Sequence, residues 1–115
     1  TKKNQAILYR IGGKDPNPLH VDENMAKMGG FDTPILHGMC FYGMTCKAVF
    51  ESICPDDISN VLSFNARFTS HVFPGETLEV FIWGKDSGKL LVTARTQERK
   101  KQVLIGEVEI KKSKF

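Results

Sequence analysis

The sequence predicts an α+β fold in which an antiparallel sheet wraps around one buried helix. The stretch from Ile35 to Cys54 would be apolar on nearly every side of a helix. After Pro55 the apolar residues recur at every second position, a pattern typical of strands with one buried face. Because the chain has 115 residues, of which 41% are hydrophobic, we expect a single domain with an ordinary core.

The N-terminal part predicts two short helical segments separated by a loop. Residues 3–11 have a helix-compatible pattern, which Gly12-Gly13 should end. Residues 12–22 contain two glycines and two prolines and therefore predict a loop. A helical turn is predicted from Asn24 to Met28, ended by Gly29-Gly30.

The central helix is predicted to begin directly after Pro34 and to end before Pro55. Proline suits the first position of a helix and also stops a helix that would otherwise continue. Because this segment is apolar almost all round, we expect it to be buried on most sides.

Four strands are predicted after the helix. The first alternates from Leu62 to Val72, and the others cover residues 78–82, 90–96 and 103–110. The sequence Asp86-Ser87-Gly88 predicts a hairpin tip, and Gly106 suggests a bulge. An antiparallel sheet wrapped around a central helix is the hot-dog fold, whose sheets commonly pair edge to edge in dimers.

Charge and cysteine content exclude several classes of protein. Sixteen basic and thirteen acidic residues give a formal charge of +3, without the basic stripe that nucleic-acid binding requires. Cys40, Cys46 and Cys54 are odd in number and lack metal-site spacing, so we expect buried, reduced thiols. No apolar stretch is long enough for a membrane span and no signal segment is found, so we expect a soluble intracellular protein.

Asp15, Asn17 and His20 are the first candidates for chemistry. They lie within one short loop in which Pro16 and Pro18 restrict the backbone. A carboxylate, an amide and an imidazole held together could bind one water molecule. The same residues also suit an ordinary Asx-turn followed by a surface histidine, and the local sequence favours neither interpretation.

His37-Gly38 opens the predicted helix. Free backbone N–H groups at a helix start can stabilise a developing oxyanion, and glycine lets a ligand approach the backbone. A glycine required only for packing against the sheet explains the spacing better. His71 is predicted at the surface, and Tyr9-Arg10 fit helix packing as well as a site. Nothing indicates an activated thiolate at Cys40, and no nucleotide, metal or hydrolase motif is present.

Several motifs in order resemble one family. They are Tyr9-Arg10-Ile11-Gly12-Gly13, Asp15-x-Asn17-Pro18-Leu19-His20-x-Asp22, Gly30-Phe31, Pro34-Ile35-Leu36-His37-Gly38-Met39-Cys40, Ala66-Arg67-Phe68 and Val72-Phe73-Pro74-Gly75-Glu76-Thr77-Leu78. Together they resemble the hydratase 2 motif of the MaoC-like enzymes, above all the (R)-specific 2-enoyl-CoA hydratase domains of peroxisomal multifunctional enzymes of type 2. The resemblance extends over nearly the whole chain.

This resemblance implies a hot-dog fold and the reversible syn hydration of trans-2-enoyl-CoA to (R)-3-hydroxyacyl-CoA in fatty-acid β-oxidation. Asp15 and His20 would be the catalytic pair, Asn17 would help to position the water, and the Gly38 N–H would bind the thioester oxygen. No cofactor or metal is expected, since CoA is part of the substrate. The resemblance assigns substrate binding to the loop and to the two motifs around it: Asp15, Pro16, Asn17, Pro18, Leu19, His20, Gly38, Arg67 and Phe68.

Two features depart from the family pattern. The family runs from glycine directly into the catalytic aspartate, whereas Lys14 intervenes here. Eukaryotic members also carry two hot-dog halves, and residues 1–115 correspond to the catalytic half alone. We therefore expect either a fragment, with fusion to or pairing with other hydratase or dehydrogenase domains, or a homodimer. The ending Ser113-Lys114-Phe115 resembles a peroxisomal address, and with the family resemblance it predicts a peroxisomal protein.

Two other functions remain open from the sequence. One is a hot-dog acyl-CoA thioesterase, which would use a carboxylate on the central helix, where only Glu51 is available. The other is a non-catalytic acyl-CoA-binding fragment.

Overall fold

The computed structural model describes residues 1–53, 55–84 and 88–111. Over these ranges the prediction of an α+β fold is confirmed: the helices come first in the chain and the strands of one sheet follow. The helices are α1 (Gln5–Gly13), α2 (Glu23–Met28) and α3 (Gly38–Ile53), with single 3₁₀ turns at Pro18–His20 and Ile58–Asn60. The strands are β1 (Val61–Phe68), β2 (Leu78–Gly84), β3 (Lys89–Thr96) and β4 (Lys101–Ile110).

The sheet is antiparallel throughout, in the order β1-β4-β3-β2. One face of α3 packs on it and forms the core in two adjoining clusters. In the first, Phe41 of α3 lies among buried residues of the sheet that include Ala94 and Leu104. In the second, Val49 lies against the middle and the far end of β3 and β4, on Leu90, Val92, Val108 and Ile110. Side chains of α3 therefore pack both on the sheet and on the N-terminal segment, where Ala6 and Leu36 belong to the first cluster.

Helix α3 begins at Gly38, so its predicted start after Pro34 is wrong. Residues 34–37 precede the helix, and two of their backbone groups have partners outside it. The Leu36 N–H donates to the Val72 carbonyl at 2.7 Å, and the Ile35 carbonyl faces the Nδ1 atom of His20 at 2.8 Å. These bonds hold the residues before α3 against two loops.

The expectation that α3 is buried on most sides is also wrong. Cys40, Phe41, Thr45 and Val49 form its buried face, whereas the opposite face is open. Met39 on the open face is 61% exposed, and Lys47 and Glu51 form a solvent-accessible ion pair there. Helix α3 therefore has more apolar surface than one face of the sheet covers.

Helix α1 continues through both glycines that were expected to end it. Gly13 lacks a side chain where the Tyr9 ring lies, since a Cβ atom there would come within 3.0 Å of the ring. The helix ends at Lys14, which adopts the left-handed conformation (φ 56°) and donates its N–H to the Arg10 carbonyl at 2.9 Å. The extra residue before Asp15 thus serves as the C-cap of α1.

The strand pattern is confirmed with two corrections in β1. The register shifts between Val61 and Ser63, so Val61 packs on the core and Leu62, which was expected to be buried, is 55% exposed. The strand also ends at Phe68, and Val72 is buried in the following loop rather than in the strand.

Gly106 forms no bulge, since it pairs in unbroken register with Ala66 and Val92. A Cβ atom at this position would lie 2.5 Å from the Asn65 carbonyl oxygen. The glycine therefore permits close approach of two strands.

Three predictions fall wholly or partly outside the described residues: Cys54, the hairpin tip at Asp86-Ser87 and the ending Ser113-Lys114-Phe115. Gly88, the last residue of the tip, has φ 78°. Among the helices that are described, none has the length and hydropathy to cross a membrane. Cys40 is buried as a free thiol, and burial raises its pKa.

We predict that Lys14→Gly stabilises the protein by about 1 kcal/mol, because a left-handed backbone strains every residue with a Cβ atom. Chemical denaturation measures the free energy of unfolding. Lys14→Ala, which removes the charge and keeps the Cβ atom, is the control and should leave stability unchanged. Equal stabilisation by both variants would contradict this, since the charge of Lys14, and not its backbone conformation, would then lower the free energy of unfolding of the wild type.

Candidate active site

The loop from Asp15 to His20 is built by side chains that bond to its own backbone. A carboxylate oxygen of Asp15 accepts the Asn17 N–H, and the amide oxygen of Asn17 accepts the Leu19 N–H, both at 3.0 Å. Asn17 thereby caps the 3₁₀ turn Pro18–His20. The Asx-turn interpretation of this loop is therefore correct for Asp15 and Asn17. His20, which that interpretation placed at the surface, is half-buried instead.

His20 is half-buried and fixed at one end. Its Nδ1 lies 2.8 Å from the Ile35 carbonyl oxygen. Because a carbonyl can only accept, Nδ1 carries the proton and neutral His20 has its lone pair on Nε2. The ring also borders a cavity of about 240 Å³ between α1 and Pro34, so small molecules can reach it.

His37 is the residue that sequence reasoning missed, since it was considered only as the start of a helix. Its side chain is 1% exposed, and neither ring nitrogen has a hydrogen-bond partner among the described residues. The ring stacks on His20 with centroids 3.9 Å apart and lies 4.8 Å from the Tyr9 ring. The sequence signal that could have found His37 was a titratable residue inside an apolar segment. Polar side chains are rarely buried unless they form hydrogen bonds, so a histidine there suggested a specific role.

The surroundings of His37 favour its neutral form. Burial lowers its pKa, and the nearby His20 and Arg10 lower it further, whereas Asp15 acts in the opposite direction. The net direction is downward from the ordinary value of 6.5. His37 is therefore an uncharged imidazole at neutral pH.

Asp15, His20 and His37 each contribute an atom to one cluster, and these atoms lie within 4.8 Å of one another. Three such groups could in principle hold a metal ion. However, the two imidazoles are stacked, with an interplanar angle of 27°, so their in-plane lone pairs run side by side. A metal ion about 2.1 Å from both nitrogens would need converging lone pairs, whereas hydrogen bonds tolerate broader angles. The cluster suits a hydrogen-bonded ligand better than a metal ion.

Gly38 follows His37 directly and is the first residue of α3, so its N–H is one of the four that have no acceptor within the helix. The Phe68 ring of β1 lies over it, since a Cβ atom at Gly38 would come within 3.0 Å of that ring. Packing against the sheet therefore requires a glycine here, whether or not its N–H also binds a ligand. The same contact brings Phe68, which is 45% exposed, to the start of α3.

A second loop, between β1 and β2, holds the segment before α3. Its Val72 carbonyl accepts the Leu36 N–H. The loop is fixed in turn by Glu76, whose buried carboxylate accepts the Phe73 N–H and two hydrogen bonds from Arg99 at 2.7 and 2.8 Å. Burial raises the pKa of Glu76, but the hydrogen bonds and the charge of Arg99 outweigh it and lower the pKa. The guanidinium also packs on the Phe73 ring.

The remaining candidates divide into those near the cluster and those away from it. Pro16, Pro18 and Leu19 lie in the Asp15 loop itself. Arg67 is exposed and borders a groove on the outer face of the sheet with Leu91 and Ile105, so within this chain it does not meet Gly38 or Phe68. His71 is half-buried rather than at the surface, with its ring against Phe31 and Phe73.

Comparison with known proteins identifies the family. Residues 1–108 match the model described as "MaoC like domain". The chain belongs to the MaoC-like domain family. The hot-dog fold predicted from the sequence is thereby confirmed, since this chain superposes closely on structures of MaoC-like proteins.

Three relatives of this MaoC-like domain illustrate the family. A probable enoyl-CoA hydratase 2 from Dictyostelium discoideum is 44% identical over 96% of this chain and 37% of its own length. Full-length peroxisomal multifunctional enzyme type 2 from Drosophila melanogaster superposes with a TM-score of 0.89 at 37% identity, over 96% of this chain and 21% of its own. An (R)-hydratase from A. caviae gives a TM-score of 0.68 at 26% identity, over 95% of this chain and 87% of its own.

The chain spans between 35% and 37% of the length of three curated relatives that it matches. The (R)-hydratase from A. caviae is matched over 87% of its own length, so a protein described as a hydratase can be of similar length to this chain.

Proposed function

We propose that this MaoC-like domain catalyses the reversible syn hydration of trans-2-enoyl-CoA to (R)-3-hydroxyacyl-CoA, a step of fatty-acid β-oxidation. The observation that carries the proposal is the cluster of Asp15, His20 and His37, whose polar atoms lie within 4.8 Å of one another beside the first residue of α3. The hydratase names of the relatives support the substrate class.

The Asp15–His20 pair handles the protons in this proposal. Water oxygen bonds to Cβ of the enoyl group, one member of the pair takes a proton from that water, and the other gives a proton to Cα. Each transfer contributes about 10²–10⁴-fold to the rate. Because both residues belong to one short loop, the oxygen and the proton arrive on the same face of the double bond, which makes the addition syn. The exposed Asn17 amide helps to position the water.

The Gly38 N–H stabilises the negative charge that develops on the thioester oxygen as water adds at Cβ. A backbone donor at a helix start is preorganised for this task and also benefits from the helix dipole. The Phe68 ring beside it excludes water from the reacting group. Binding by the rest of the loop, Pro16, Pro18 and Leu19, orients the thioester, and Arg67 would meet the CoA moiety only where that moiety extends across the sheet.

An apolar route for the acyl chain leads from Gly38 along α3. Phe68 is followed by Tyr42 at 6.3 Å and by Phe64 at 5.4 Å from Tyr42, measured between ring centroids. Phe64 then lines an apolar cavity of about 280 Å³ together with residues of α3, of the 3₁₀ turn Ile58–Asn60 and of β1: Cys46, Val49, Phe50, Ile58 and Val61. This cavity is where the acyl tail would lie.

We further propose that residues 1–115 form the catalytic half of a double hot dog, and that two copies pair when no second half is fused to the chain. Support comes from the uncovered face of α3 and from the exposed apolar side chains of α1, where Ile7 is 54% and Ile11 72% exposed. Relatives that are much longer support fusion to further hydratase or dehydrogenase domains as the other arrangement.

Two smaller proposals follow from the reaction. Hydration exchanges only water with the substrate, so the chemistry requires no redox or group-transfer cofactor. The peroxisomal names of relatives support a peroxisomal location.

We predict that Asp15→Asn and His20→Ala each lower kcat for hydration by at least about 10²-fold, because each removes one partner of the proton transfers. The assay follows loss of enoyl absorbance with crotonyl-CoA and a medium-chain enoyl-CoA, and free thiol is measured in parallel. Asp32→Asn, in the exposed loop before α3, and His71→Ala are the matched controls and should retain wild-type rates.

Release of free CoA without hydration would contradict the proposal and favour the thioesterase alternative. The structure offers that alternative little support, because Glu51 is paired with Lys47 on the open face of α3, about 20 Å along the helix from Gly38. Binding of acyl-CoA with neither reaction would favour the non-catalytic fragment.

The pairing predicts a solution mass twice the 12.9 kDa of one chain. Light scattering coupled to size exclusion measures it. A monomer with full hydration activity would contradict the need for a second copy.

A further inference from the structure

His37 is a buried polar group without an assigned task. Burying an imidazole whose two nitrogens have no hydrogen-bond partner is unfavourable, so such a group needs an explanation. Neither nitrogen bonds to any described residue, although the Asp15 carboxylate and a nitrogen of His20 lie within 4.8 Å of it. Stacking on His20 and the contact with Tyr9 involve the faces of the His37 ring. The ring edge, which carries both nitrogens, forms no hydrogen bond to a described residue.

The spacing of the three groups matches hydrogen bonding to one shared water molecule. Two atoms that each lie about 2.8 Å from the same water, at tetrahedral angles, are about 4.6 Å apart. The atoms of Asp15, His20 and His37 lie within 4.8 Å of one another, which is compatible with this separation. One water can therefore contact all three residues at once.

We propose that His37 is a third residue of the water site, where its ring nitrogen accepts a hydrogen bond from the O–H bond of the reacting water that is not broken. This inference rests on the proposed hydration. The water oxygen bonds to Cβ and one water proton leaves to the Asp15–His20 pair. The second proton stays on oxygen as the product hydroxyl and points at His37, whose own protonation does not change.

The electrostatic surroundings agree with an acceptor role. An acceptor must be uncharged, and burial of the His37 ring is the main cause that lowers its pKa, while the neighbouring Asp15 raises it by less. The hydrogen bond also directs one water proton away from the base, so the other is aligned for transfer. His37 thereby distinguishes the two O–H bonds of the water.

His37→Phe separates hydrogen bonding from packing. Phenylalanine keeps an aromatic ring on His20 and Tyr9 and removes both nitrogens. We expect kcat for enoyl-CoA hydration to fall about 10²-fold with little change in KM, since the lost bond is made to water and not to the acyl-CoA. His37→Gln, which restores an acceptor oxygen, should recover part of that loss. His71→Phe, the same change at a histidine with aromatic neighbours outside the cluster, should leave kcat unchanged.

Thermal melting verifies that each variant is folded, and His37→Gln remains informative if His37→Phe is not. A kcat for folded His37→Phe within about twofold of the wild type would overturn the proposal, since only packing would then matter. Equal losses in the Phe and Gln variants would also overturn it.

A crystal structure that resolves ordered water gives a readout independent of activity. We expect one water in contact with Asp15, His20 and His37 in the wild type, and displaced in His37→Phe. A site water that does not contact His37, or no ordered water at all in the cluster, would overturn the inference. An inactive wild type would instead contradict the proposed hydration, and the position of the water would still decide the role of His37.

Discussion

The candidate site depends on one hydrogen bond, from Nδ1 of His20 to the carbonyl oxygen of Ile35. This bond joins the Asp15 loop to the residues directly before α3, two segments that are otherwise separated in the chain by helix α2. It orients the imidazole, assigns its proton to Nδ1 and leaves Nε2 for chemistry. It also fixes Ile35 three residues before Gly38, the first residue of α3.

The rest of the fold holds the two ends of that bond. On one side, Leu36 bonds to Val72 in a loop that the ion pair of buried Glu76 with Arg99 fixes. On the other, α1 ends in the left-handed Lys14, which delivers the chain to Asp15. Arg99 enters the network from the turn between β3 and β4. The sheet therefore also supports the site, through the β1–β2 loop.

Much of this arrangement was predictable from the sequence because it depends on periodicity. The change from a helical to a two-residue pattern located α3 and the strands, and the motif resemblance supplied Asp15, His20 and Gly38. What could not be predicted depends on tertiary partners. Helix α3 starts three residues later than predicted because backbone groups before it bond to distant residues, and the exposure of Leu62 results from a register shift in β1. His37 was missed because burial, and not spacing, makes it unusual.

The most direct test of this account is the tautomer of His20 at neutral pH, measured by long-range ¹H–¹⁵N correlation NMR of the full chain. The hydrogen bond to Ile35 predicts that the proton resides on Nδ1 and that Nε2 has the chemical shift of an unprotonated nitrogen. A proton on Nε2, or rapid exchange between both tautomers, would contradict the account, because His20 would then not be fixed to the segment that begins α3.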